Sequence, residues 1–286
     1  MSAEAEWLDD QEEDVDPDWE SDEEDEPAHG WVAAGRLDAG LHRSLALGVL
    51  AMAPLFVAYE LGLANAPDLH RSQSELSLFR LLTILGDHEV PMRRVILALA
   101  VIAAAASCFR RRIALGPSLF RVFIEGVLGA IALGPALALG MRLFGGIDGD
   151  LASPGGTPDL AVAARVLGAA AFEELLFRVL LYGALFLVAR RIALFFGVAE
   201  RIAPWASEVS ALLGSSAAFA AIHLSACTAW LGPQGEAFSG PVFLWRFLAG
   251  ALLALLFRWR GPGVAAWTHG LFNLGLLIGT RPEILL

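Results

Sequence analysis

The sequence predicts an all-α, polytopic integral membrane protein with about seven transmembrane helices, in a range of six to eight. Three observations predict it. The chain is 56% hydrophobic and only 18% charged, far too apolar for an ordinary soluble domain. Apolar runs near the roughly 20 residues that cross a hydrocarbon core about 30 Å thick recur along its length. Arginines collect in alternate connections between those runs, as orientation in a bilayer requires.

The first 30 residues hold 15 acidic side chains and no basic one, so the net charge of −11 lies wholly in this tail. "EEDVDPDWESDEEDEP" cannot bury a core and repels itself; a disordered, solvated segment is expected. No positively charged leader precedes the first apolar run, which is therefore expected to act as an uncleaved anchor. Residues 31–159 read as N-terminal transmembrane helices and loops, and 160–280 as the membrane core that carries the chemistry. The spans are expected at about 44–64, 91–109, 119–142, 162–189, 208–230, 243–259 and 263–280. "LSLFRLLTILG" (76–86) is amphipathic and suits the membrane surface. "IALFFGVAERIAPW" (192–205) is short and charged, as an interfacial or re-entrant stretch would be.

Every basic residue is arginine, which suggests a GC-rich bacterial genome and hence the inner (cytoplasmic) membrane, crossed many times. Arg110, Arg111 and Arg112 follow the second span, Arg190 and Arg191 the fourth, Arg258 and Arg260 the sixth. This alternation puts the N-terminus in the cytoplasm. The first outer loop departs from it, with Arg71, Arg80, Arg93 and Arg94. Cys108 and Cys227 carry no spacing motif and are expected to be buried free thiols.

Charges within the spans are the candidates for function, since each costs about 2.5–3.5 kcal/mol at the centre of a membrane helix. "AFEELLFRVLLYG" (171–183) has three in six residues. Glu174 and Arg178 are four apart, so they share a helix face and can pair. Glu173 points about 100° away and is free to face a polar cavity as a general base. The plainer reading is an ion pair that only fixes helix packing. The fifth span, "SSAAFAAIHL", puts Phe219 and His223 on one face, and a single membrane histidine is often a packing residue. The seventh, "AAWTHGLFNLG", aligns His269 with Asn273, which interhelical hydrogen bonding alone would explain. Together, titratable groups on three spans suit a water-holding cavity better than packing. Arg121 and Glu125 read as a structural pair, and Glu60 as a side chain reaching toward its span's end.

"EELLFR", "FAAIH" and "HGLFN" resemble the EExxxR, FxxxH and HxxxN/D motifs of the CPBP (CAAX protease and bacteriocin-processing, or Abi) family of intramembrane proteases. The likeness spans roughly 160–280 and includes the stretch 247–267 between the last two motifs. It implies a peptidase with its active site buried between helices. Glu173 and His223 would activate a water, His269 and Asn273 would donate to the oxyanion, and Glu174, Arg178 and Phe219 would support them. It implies no favoured cofactor; zinc held by Glu173, His223 and His269 is the alternative. The partners are the lipid bilayer and a membrane-associated protein or peptide substrate, and nothing points to nucleic acid. The rival readings are a non-catalytic binding or immunity protein on the same fold, and a proton-coupled transporter.

Overall fold

The computed structural model describes residues 39–66, 68–144, 159–229 and 235–279. The acidic tail lies outside them. The chain divides into a unit of residues 1–33 and a unit of residues 34–286, and every element below belongs to the second.

Among the described residues the architecture is all-helical, with one isolated bridge between Leu224 and Glu236. In chain order the α-helices are α1 (Ala39–Asn65), α2 (Gln73–Leu78), α3 (Glu89–Arg110), α4 (Leu115–Phe144), α5 (Leu160–Glu174), α6 (Gly183–Phe195), α7 (Ala203–Ala221), α8 (Ser225–Thr228), α9 (Gly240–Arg260) and α10 (Pro262–Gly279). A 3₁₀ stretch, Arg80–His88, leads into α3. A π-helical stretch, Leu175–Tyr182, joins α5 to α6. Both junction residues, Leu175 and Gly183, keep right-handed helical dihedrals, so the rod runs unbroken from Leu160 to Phe195.

Among the described residues four segments are long and apolar enough to cross a membrane: Leu45–Asn65, Arg80–Arg110, Leu115–Phe144 and Gly240–Arg260. The other three expected spans do not meet that measure as single α-helices. The first is divided between α5 and α6 by the change of register after Glu174. The second, α7, is 19 residues long and ends at Ala221 rather than near residue 230, and Glu208 and four serines lower its hydropathy. The third is α10, a short helix bearing Thr268, His269 and Asn273.

The fold is held by close approach around α10, which packs against α1, α4, α5 and α9. Trp267 on α10 donates its indole N–H to the Ala51 carbonyl of α1 at 2.9 Å, and Thr268 donates to the Gly126 carbonyl of α4 at 3.3 Å. Helix α5 lies directly on α1 at Gly168, where an added Cβ would meet the Tyr59 backbone nitrogen at 2.8 Å. Phe172 closes this interface against the rings of Phe56, Tyr59 and Phe79.

Among the described residues, buried arginines are tied down, Arg165 by the His70 carbonyl at 2.7 Å and others in charged networks. Glu75 accepts from Tyr59 at 2.7 Å, from Arg71 at 2.6 Å and from Arg93 at 3.0 Å. Glu60 accepts from Arg71 and Arg94, and Arg93 also meets Glu89. The arginines that break the charge alternation in the first outer loop are, in three of four cases, partners in this network. Neither cysteine is in a disulfide, and only Cys108 is buried. Cys227 is exposed because it sits in α8, beyond the end of α7, and not within a span as expected.

Candidate active site

Glu173 and Glu174 end α5, so their side chains leave the last α-helical turn before the register widens. Helix α10 passes this point and places His269 between them. His269 donates Nδ1–H to Glu174 Oε1 at 2.9 Å, and its Nε2 stands 3.6 Å from Glu173 Oε2. Glu174 is completely buried and Glu173 nearly so. The sequence spacing paired Glu174 with Arg178, and that contact is present at 3.2 Å from Nε to Oε2. It is an ion contact and not an aligned hydrogen bond. What spacing could not show is that Glu174 serves both Arg178 and His269, a residue 95 positions away.

Arg178 is fully buried and is held from three directions. Beyond Glu174, its Nη2 donates to the Gly250 carbonyl of α9 at 3.1 Å, and its guanidinium lies 4.6 Å from the centre of the Phe219 ring. A cation over an aromatic face gains electrostatic attraction, the more so when desolvated. Gly250 makes this possible, because a Cβ there would meet Ser216 Cα and the Phe219 ring at 3.2 Å. Phe219 also packs edge-on against both His223 and His269, at 5.5 and 5.6 Å between ring centres. It therefore forms the wall between the two histidines.

His223 lies just past the end of α7 rather than inside a helix. Its Nδ1 is 2.9 Å from the Phe219 carbonyl. A carbonyl only accepts, so Nδ1 carries the proton and Nε2 is left with its lone pair. The backbone beyond it is pinned: Glu236 N–H donates to the His223 carbonyl and Ser225 N–H donates to the Glu236 carbonyl, each at 2.9 Å. The Glu236 carboxylate is gripped by both terminal nitrogens of Arg246. Arg246 lies within electrostatic reach of Glu173 and His223. The sequence reading passed over this pair. Its signal was a charge near the start of the sixth span, in "FLWRFLAG", with no local partner on its own helix.

Asn273 follows His269 by one turn of α10 and is half-buried. Among the described residues, no three His, Cys, Asp or Glu side chains converge as a metal would need. The contact of His269 Nδ1 with Glu174 leaves Nε2 of that ring as the nitrogen facing Glu173.

Two glutamates and a buried arginine from the α5–α6 rod, two histidines and an aromatic wall thus lie close together. The family model described as Rce1-like, type II CAAX prenyl endopeptidase, matches residues 157–275. The match covers less than half of the chain and is consistent with the CPBP/CAAX protease family. It is a peptidase family, and its matched segment contains Glu173, Glu174, Arg178, Phe219, His223, His269 and Asn273. No curated protein and no solved structure matches the chain. Among the described residues four helices are apolar enough to span a bilayer, which agrees with similarity to a family of membrane peptidases.

Proposed function

We propose that the chain is an intramembrane endopeptidase in which Glu173 and His223 activate a water that hydrolyses a peptide bond. The observation that carries this reading is the buried contact of His269 with both glutamates. Packing needs no such concentration of charge, and membrane interiors penalise it. Two carboxylates beside one guanidinium are also one positive charge short. A second N–H on His269 would supply it, with Glu173 as the base.

The water lies between Glu173 and the bare Nε2 of His223. Glu173 takes its proton as the oxygen attacks the carbonyl carbon, and later returns that proton to the departing amine. His269, fixed through Nδ1 by Glu174, offers Nε2–H to the developing oxyanion, with Asn273 as the second donor. Loss of one such donor typically costs about 10²–10³ in rate. Glu174 and Arg178 hold the imidazole in place, and Phe219 keeps the two histidines apart. All of this is the glutamate-type mechanism, which requires no metal.

The substrate is a membrane-associated protein or peptide. The matched family's description names prenyl endopeptidases, but a bacterial inner-membrane setting favours a C-terminal anchor or a leader peptide over a strict CAAX tail. Comparing wild type with Glu173→Gln in native membranes, by quantifying protein N- and C-terminal peptides, tests the reading. Specific precursors should accumulate in the variant at unchanged abundance of the protein itself. If none accumulates, the peptidase assignment fails and the binding or transport readings replace it.

A further inference from the structure

The two charged networks around Glu75 and Glu208 are closed on themselves: Glu75 by Tyr59, Arg71 and Arg93, Glu208 by Tyr182 and Arg258. A third cluster is different. A cavity of about 330 Å³ opens where the start of α1, the first turns of α4, the end of α9 and the start of α10 meet. Its lining includes Ser118, Arg121, Glu125, Trp259, Arg260 and Gly263. None of the catalytic candidates is among the lining residues.

Its chemistry is that of an anion site. Arg121 and Arg260 both bind Glu125, at 2.8 Å and 2.9 Å from their Nε atoms. Two cations against one carboxylate leave a positive charge in the cavity. Ser118 adds a hydroxyl. Helix α10 begins at the cavity, and the first-turn N–H groups of a helix lack intrahelical acceptors and carry the positive end of its dipole.

Its position is that of a lipid headgroup. Helix α9 ends and α10 begins here, and Trp259, flanked by Arg258 and Arg260, marks the depth at which indole and guanidinium groups meet the bilayer boundary. Along α4, immediately beside Arg121, Phe120, Phe123, Ile124 and Leu128 are exposed, a surface suited to acyl chains. Basic pockets between helices at this depth suit anionic headgroups.

We propose that this cavity binds the phosphate of an anionic glycerophospholipid, with Arg121 and Arg260 as its ligands and its acyl chains along α4. The bound lipid then clamps the α9–α10 turn to α4, eight residues before His269. This inference stands independently of the peptidase reading.

The test uses the full-length protein in detergent, with phosphatidylglycerol, phosphatidylcholine or inorganic phosphate added. Phosphatidylglycerol should raise the thermal midpoint by on the order of 5 °C, and native mass spectrometry should show it retained. Phosphatidylcholine and inorganic phosphate should not raise it. Arg121→Gln, at a largely exposed position, should abolish the shift. Glu125→Gln, which releases both guanidiniums, should increase retention. An equal shift with phosphatidylcholine, or in Arg121→Gln, overturns the proposal. So does an equal shift with inorganic phosphate, which would make the ligand a soluble anion.

Discussion

His269 is the residue on which the rest of the site depends. Its Nδ1 is fixed by a carboxylate that is itself fixed by a buried arginine, so its ring plane is set before any substrate arrives. Glu174→Gln keeps the volume but removes the negative charge that holds the Nδ1–H of His269. Precursor processing should fall by on the order of 10²-fold or more, with the protein still present in the membrane. Arg178→Ala should act otherwise, because it strands Glu174 in an apolar interior. Breaking a buried pair costs about 3–5 kcal/mol, and the amount of folded protein should drop. Quantifying processing and abundance together separates the two, and full processing by Glu174→Gln would remove it from its positioning role. The charged residues themselves were legible in the sequence, because a glutamate or histidine in an apolar run is conspicuous. Their partners were not. Helical spacing reports what lies four positions away, whereas the contact of Glu174 with His269 is made by the packing of α10 on α5.

At the scale of elements, the helices that frame the site are kept in place by small residues at close approach. Gly168 lets α5 lie on α1, and this sets the height at which Glu173 and Glu174 emerge two turns later. Gly168→Ala should force the two backbones apart, at a cost of about 1–3 kcal/mol. A thermal midpoint lower by several degrees in detergent is the expected reading; an unchanged midpoint would show that the interface can yield. Most helices were legible from the length of the apolar runs, and α3, α4 and α9 begin and end within a few residues of where those runs do. The fifth run misled, since apolar composition continues through "IHLSACTAW" although the helix stops at Ala221. Nothing in hydropathy reveals that stop. It is set by backbone pairing of His223 and Ser225 with Glu236, which lies more than ten residues on.

For the whole molecule, the arginine alternation predicts a cytoplasmic N-terminus, with the segment after α7 on the opposite side. The native cysteines offer a direct test. Cys227 is exposed and Cys108 buried, so a membrane-impermeant maleimide applied to the outer face of intact cells should label the wild type and Cys108→Ser, but not Cys227→Ser. Labelling only from the cytoplasmic face would invert the topology. The same alternation could not show that Arg71, Arg93 and Arg94 are spent on carboxylates, because those partners come from three separate elements. The π-helical stretch has a consequence for how the chain can vary. Such a stretch, with its hydrogen bonds reaching five residues, behaves as an α-helix that has taken in one surplus residue. Deleting a single residue between 175 and 182 would let it relax to the ordinary register and swing everything beyond it by about 100°. Tyr182 would then turn away from Glu208, and α6 would present a different side to α7. Side chains here can be exchanged with modest effect, but the count of residues after the two glutamates is fixed.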